Sequence, residues 1–312
     1  MKICSTSSNV NTPNSMNPAI EIRGLTRRFR KQEAVHDLTL TVPAGCACAF
    51  LGRNGAGKTT TIKMLAGLLR PTQGESFLHG CDSQKLQPVD WQRIGYVSEN
   101  QELYGWLTVA ELIAFTRALY PAWDLAFEQE ITRMLELPLA RKVRVLSRGE
   151  RAKLALLLTI AFHPLLLILD EPFAGLDPLA REEFLTSLLE ITAQQEWSLF
   201  FSTHEIDDVE RLADQVAIIE EGVLQVNEPL DRLQQRFREI EVEGVPARTT
   251  PPPGALLAKQ AGSRLSYIDA AFTDEAAIQA LFPAARVRAL PMSLKQIFLT
   301  QAKIFQLRKR AS

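Results

Sequence analysis

The segment Gly52-Arg53-Asn54-Gly55-Ala56-Gly57-Lys58-Thr59 constrains this chain more than any other part of it. It fits the G-x-x-x-x-G-K-[ST] pattern and lies where such a loop must lie, between a strand and a helix. Cys46–Leu51 (CACAFL) is a short apolar run, as in a buried strand, and TTTIKMLAGLL after the loop has helical spacing. Pro71 just beyond predicts the stop of that helix. Glycines let the backbone curl so that successive N–H groups converge on one point, and the positive end of the helix dipole faces the same point. The loop is therefore a phosphate cradle. Lys58 supplies a cation to the β- and γ-phosphates, Thr59 offers a hydroxyl to Mg²⁺, and the whole run through Thr60 is a candidate nucleotide-binding set.

A second element completes the chemistry. Leu165–Leu169 is apolar and runs into Asp170-Glu171-Pro172. A buried strand ending in a carboxylate delivers Asp170 to a Mg²⁺ shell, and Glu171 beside it can orient or deprotonate the attacking water. Alone, such an acidic pair reads as a solvated strand end. Behind a phosphate cradle it reads as the metal-binding and catalytic carboxylates of a P-loop triphosphatase.

The remaining pattern suits that fold. Ala19–Arg23 and Leu38–Val42 alternate like strands near the N-terminus, and SLFFST (198–203) and QVAIIEEG (215–222) are further strand candidates. EEFLTSLLEITAQQ reads as a helix, and from about 108 to 145 apolar residues recur at helical intervals with little β-branching, as in a helical insert. Strands alternating with helices imply an α/β fold whose mainly parallel sheet is covered on both faces. Past about 235 the pattern changes. EIEVEG and RLSYIDA read as short strands around the break TTPPPG (249–254), and SLKQIFLTQAKIFQL as a closing amphipathic helix. The expected division is a disordered leader over 1–17, with Met16 a possible start, then a nucleotide-binding domain over 18–235 with its helical insert at about 100–160. A small α+β accessory domain over 236–312 follows.

Composition narrows the function. In 312 residues the net charge is -1, which argues against a protein built around binding nucleic acid, and no nucleic-acid partner is expected. Cys46 and Cys48 share one strand face and suggest a metal clip. No second Cys or His pair stands at zinc-ligand spacing, so they read as small apolar residues of a reduced protein. The longest apolar stretch, Leu154 to Leu169, is broken by His163-Pro164 and falls short of the ~20 residues that a spanning helix needs.

Three more segments narrow the class of triphosphatase. Leu146-Ser147-Arg148-Gly149-Glu150 resembles the LSGGQ signature of ABC ATPases, Ala174-Gly175-Leu176-Asp177 stands where that family has its D-loop, and Ser202-Thr203-His204 ends the next strand as the family's switch histidine does. The resemblance covers roughly residues 19–227. It implies an ATPase with ATP and Mg²⁺ as cofactors and an antiparallel β region near the N-terminus. It also implies a head-to-tail dimer with a second ATPase subunit, in which each ATP lies between one subunit's Gly-rich loop and the other's signature. Ser147 and the Gly149 N–H would then contact the γ-phosphate across the interface, while His204 and Glu171 act in cis. Phe29 aligns with the aromatic that stacks on adenine; read by itself it is a core Phe at a strand end. Glu99 stands where the family has a glutamine that ligands Mg²⁺, and Arg148 and Glu150 replace the usual Gly and Gln. Arg148 either adds a cation near the trans phosphates or points into solvent.

Within the family, Glu99, ALYPAWD (118–124) and SLKQIFL (293–299) are similar to the ATPases of ABC-2-type exporters. That implies a separate integral membrane permease, export, and a place on the cytoplasmic side of the membrane. Glu102–Val109, with Leu103, Tyr104 and Trp106, is the expected permease-docking surface; local packing of the insert is the other reading. The alternatives are a soluble ABC ATPase acting on DNA or ribosomes and a nucleotide-gated scaffold of low turnover.

Overall fold

The computed structural model describes residues 17–30 and 32–311. The expected leader, apart from Asn17, and the possible start at Met16 lie outside the described residues. The chain opens with β1 (Ile20–Phe29) and β2 (Gln32–Val42), an antiparallel pair from Ile20↔Val42 to Phe29↔Gln32 whose register shifts between Ile22 and Arg28. β3 (Ala47–Leu51) leads into α1 (Lys58–Leu65), and β4 (Gln73–Leu78) and β5 (Cys81–Asp82) extend the first sheet to the order β2-β1-β4-β5. Both early strands run well past the alternating cores that mark them in the sequence. Helix α1, by contrast, stops short of Pro71. Gly67, at φ +65°, turns the chain and donates its N–H to the Met64 carbonyl, and a Cβ there would lie 2.6 Å from the Ser83 carbonyl oxygen. A glycine cap, not the proline, ends this helix.

A short α2 (Pro88–Trp91) precedes β6 (Ile94–Val97), and the helical insert follows as α3 (Val109–Arg117), α4 (Leu125–Met134) and α5 (Arg148–Ile160). β7 (Leu166–Asp170), α6 (Pro178–Ala193), β8 (Ser198–Thr203), α7 (Ile206–Leu212), β9 (Gln215–Glu220), β10 (Val223–Pro229) and α8 (Leu230–Arg236) then build a six-stranded sheet of order β10-β9-β3-β8-β7-β6. Its strands are parallel except β10, which turns back antiparallel on β9.

The apolar runs follow from this sandwich. Along β3, β7 and β8, Ala49, Leu51, Leu167, Leu169, Leu199 and Phe201 enter one core, which the helices from α3 to α7 cover. The alternate residues, such as Phe50, Ile168 and Phe200, enter a second core beneath α1 and the antiparallel sheet. Cys48 is fully buried in that second core. A strand covered on both faces has no polar side to show, so its sequence cannot alternate.

Beyond residue 237 a third sheet, order β12-β13-β11-β14, is formed by β11 (Arg238–Glu243), β12 (Leu256–Ala261), β13 (Arg264–Asp269) and β14 (Arg286–Pro291), with α9 (Glu275–Leu281) against it. It has its own core of Ile240, Val242, Leu265, Tyr267, Ile278 and Val287 among others. The final helix α10 (Leu294–Ala311) returns to the first core, where Leu294 and Ile297 are fully buried, and the Leu294 N–H donates to Glu210 of α7 at 3.2 Å. Ile297→Ala therefore removes contacts between the closing helix and the first core. It should cost about 2–5 kcal/mol of unfolding free energy, read by chemical denaturation.

Candidate active site

The Gly-rich loop is shaped by close approach as much as by dihedral angle. A Cβ on Gly52 would lie 2.6 Å from the Ile219 carbonyl oxygen, and one on Gly57, at φ +106°, would lie 2.5 Å from that of Ala34. Gly55 has open space around it but a φ of +82°, so there the need is conformational. The loop bulges outward at Arg53, Asn54 and Gly55, which are exposed, and returns inward at Ala56 and Gly57. Lys58, the first residue of α1, is only 5% exposed. Its Nζ donates to the Gly52 carbonyl at 2.7 Å and the Arg53 carbonyl at 3.2 Å, and lies 3.0 Å from Glu171 Oε1. Thr60, one residue past Thr59, is half-buried on the cavity wall.

Asp170 ends β7 beside the loop. Its Oδ1 accepts from Thr59 Oγ1 at 3.2 Å and from Ser202 Oγ at 2.8 Å, while its Oδ2 is buried without a partner. Burial pushes its carboxyl above the usual carboxylate range; the Ser202 and Thr59 bonds oppose the shift, and the negative charges of Glu99 and Glu171 add to it. An open buried carboxylate oxygen beside a threonine hydroxyl is an oxygen donor set that fits a small hard divalent cation, whose charge would offset the cost of ionising Asp170.

Glu171 adopts a left-handed backbone, φ +50°, which is costly for a residue with a side chain. Its N–H is held by Ser202 Oγ at 2.9 Å. In this conformation the carboxylate reaches two ways, with Oε1 on Lys58 and Oε2 at 2.8 Å from His204 Nδ1. Ser202 thus fixes both carboxylate-bearing residues at once, a part that the sequence reading did not give it. A polar Ser-Thr pair closing the otherwise apolar β8 was the available signal. Chemically, the cluster offers a cation for phosphate, a carboxylate for a water proton and an imidazole that shares that carboxylate.

The signature residues lie at the start of α5. Ser147 caps this helix. Its Oγ accepts the Glu150 N–H at 3.1 Å, and Glu150 Oε2 accepts the Ser147 N–H at 2.7 Å. Glu150 also pairs with Arg141 at 2.7 Å. Because the Ser147 oxygen accepts within the cap, its hydroxyl proton remains to donate outward. A glutamate at this position closes the capping box as well as a glutamine does. Gly149 is buried, and a Cβ on it would touch that of Ala180 at 3.0 Å. Arg148 is exposed, and its guanidinium lies over Gly175 of its own chain, with Nη1 3.5 Å from the Gly175 carbonyl oxygen. A Cβ on Gly175 would be 1.8 Å from that nitrogen, so the long cation fits because a glycine stands opposite. Asp177 caps α6, accepting the Leu179 and Ala180 N–H groups at 3.1 and 3.0 Å.

A cavity of about 870 Å³ joins Asn54, Gly55, Gly57, Lys58, Thr59 and Glu99 on one side to Arg148, Glu171 and His204 on the other. Glu99 is exposed on its wall. Phe29 does not line it. This side chain is 43% exposed, not core, and Arg27 covers one face of its ring at 4.5 Å. The neighbouring wall is formed instead by Gln32, Glu33 and Ala34 at the start of β2.

Residues 35–174 match the family model described as ABC transporter. The chain is 34% identical over 226 residues to the bacitracin transport ATP-binding protein BcrA of Bacillus licheniformis, covering 72% of this chain and 74% of that protein. It is 31% identical over 230 residues to the sulfate/thiosulfate import ATP-binding protein CysA of Escherichia coli K12, covering 71% of this chain but only 62% of that one. Among solved structures, an ATP-binding subunit of an ABC transporter aligns with a TM-score of 0.62 and 29% identity over 70% of this chain and 92% of that chain. A relative 34% identical over 72% of this chain makes it a member of the ABC transporter ATP-binding proteins, a class that binds and hydrolyses ATP.

Proposed function

We propose that this chain is the motor subunit of an exporter: two ATPase subunits close head-to-tail around two ATP and drive a separate membrane permease from its cytoplasmic face. Residues 18–235 are the motor, and 236–312 an accessory unit. The observation that carries the permease reading is an aromatic cluster exposed on the insert. Tyr104 lies tilted, 5.0 Å from Trp106, and edge-on, 5.7 Å, to Phe115, yet the three are 47%, 67% and 49% exposed. Leu103, half-buried, packs against the first core, so the segment divides its apolar residues between the fold and the surface. Rings gathered outside a core mark a protein-docking site. Among the described residues no helix is long and apolar enough to cross a membrane, so any membrane span of the transporter is assigned to the partner. The export direction rests on the resemblance of Glu99, residues 118–124 and 293–299 to ABC-2-type motors.

In the cycle, the γ-phosphate competes with Glu171 for Lys58 and draws His204 to itself. Glu171, relieved of the lysine, is then placed to take a proton from the attacking water. Thr59, Asp170 and Glu99 would hold Mg²⁺, which when bound neutralises phosphate charge. The outward Ser147 hydroxyl and the N-terminus of α5 meet the other subunit's γ-phosphate, and loss of phosphate after hydrolysis removes those contacts and opens the pair. The adenine role of Phe29 rests on its alignment with the family's stacking aromatic and on its exposure at the end of β1, near the Gln32–Ala34 wall.

Glu171→Gln should bind ATP at least as tightly as the parent, since Lys58 no longer has a competing carboxylate. Hydrolysis should fall by about 10²-fold or more, and an ATP-dependent dimer should accumulate in size-exclusion chromatography. Wild-type turnover in that variant would remove Glu171 from the mechanism. Asp170→Asn should leave thermal stability unchanged or higher, because it abolishes a costly buried charge, while the Mg²⁺ dependence of nucleotide binding, followed by titration calorimetry, disappears. A Glu171→Gln pull-down from detergent-solubilised host membranes should recover a polytopic permease. Adding Trp106→Glu should lose the permease while ATP affinity is kept, and recovery of only ribosomes, DNA or soluble proteins would overturn the transporter reading. With the permease reconstituted, cargo should leave the compartment that holds the ATPase; the reverse movement would overturn export.

A further inference from the structure

The last helix reaches the nucleotide cavity from an unexpected direction. α10 begins against α7, passes Phe298 along the flank of the Gly-rich loop, and ends with Lys309 on the rim of the same cavity that holds Lys58 and Glu171. Phe298 shares a smaller hollow with Arg53, Asn54, Gly55 and His204. Lys309, eleven residues further on, lies about 16 Å along the helix, three turns at 1.5 Å per residue. There its ammonium pairs with Glu221. Glu221 and Gly222 form the β9–β10 turn, both at positive φ, and the Gly222 N–H donates to the Ala56 carbonyl at 2.9 Å. The carboxylate that holds Lys309 is thus one residue from a direct hydrogen bond to the phosphate cradle.

We propose that Lys309 is a nucleotide-binding residue, a second cation that the C-terminal helix delivers in cis to the polyphosphate of bound ATP. This inference rests on the ATP-binding reading of the cavity. Glu221 lines both the large cavity and the hollow shared with Asn54 and Gly55, so Lys309, paired with it, stands beside the Gly-rich loop where the two hollows meet. The Lys309 side chain is 62% exposed and its partner 49%, and an ion pair so solvated is weak. A triphosphate carries several charges where Glu221 carries one, and the flexible four-carbon stem of a lysine lets its ammonium reorient toward the larger charge. Lys58, by contrast, is nearly buried and bound to two carbonyls and a carboxylate. The two cations therefore differ in role: Lys58 is fixed in the cradle, whereas Lys309 is recruited. The C-terminal region, on this account, takes part in nucleotide binding and is not only an appendage.

The test is nucleotide affinity of the full chain, by displacement of a fluorescent ATP analogue with ATP and with AMP. Lys309→Ala should weaken ATP binding about tenfold and AMP binding about twofold or less, Lys309→Glu should weaken ATP further, and Lys309→Arg should stay within about twofold of the parent. Glu221→Gln breaks the ion pair while keeping the cation and should bind ATP as well as or better than the parent. Wild-type ATP affinity in Lys309→Glu would overturn the inference, as would a Glu221→Gln loss equal to that of Lys309→Ala, which would make the pair a mere tether for α10. A parent protein that binds no ATP would instead overturn the reading of the cavity itself.

Discussion

Lys58 and Glu171 are 5% and 9% exposed and 3.0 Å apart, and the site is organised around that ion pair. Taking two charges out of water costs several kcal/mol per ion, so the pair persists only because other bonds complete it. Two carbonyls of the Gly-rich loop satisfy the ammonium, and His204 takes the second carboxylate oxygen. The pair joins the loop after β3 to the residue after β7, across the intervening strand β8, which carries Ser202 and is followed directly by His204. Any anion that reaches Lys58 must displace a carboxylate that is also a candidate base, and this links occupancy of the cradle to the state of Glu171.

The sheet order makes that linkage possible. Parallel strands all end at one edge, and β3, β8 and β7 are adjacent, so the cradle, the histidine and the carboxylates emerge together although about 150 residues separate the first from the last. The cores on both faces hold the strands in register, and the strain of a left-handed Glu171 is carried by the rigid frame beneath it.

The departures from the family pattern are absorbed locally. Glu150 keeps the cap of α5 and gains a partner in Arg141, so the exchange of amide for carboxylate is compensated within the same turn. Arg148 connects the signature to the D-loop segment of its own chain through Gly175, a contact that a glycine at position 148 would not make. Glu99 adds negative charge near Asp170, which raises the cost of ionising that carboxyl and strengthens the call of the site for a cation.

The sequence alone determined the cradle, the carboxylate pair and the strands and helices that flank them. Each is local: glycines at fixed offsets, an apolar run ending in Asp170-Glu171, and a switch from continuous apolar strands to helical spacing. It also marked EIEVEG and RLSYIDA as strands, but not β12 and β14. Those two lie toward the outer parts of a small sheet with partly exposed faces, so their apolar signal is weak. Helix α1 ended early because Gly67 approaches the Ser83 backbone, a contact 16 residues away in sequence. Only the tertiary structure decided where Arg148 points, that Ser202 holds both carboxylate residues, and that α10 returns to the first core and brings Lys309 to the cavity. Such contacts join residues 27 to 88 positions apart, and no period or propensity in a single sequence encodes a meeting of that kind; packing does.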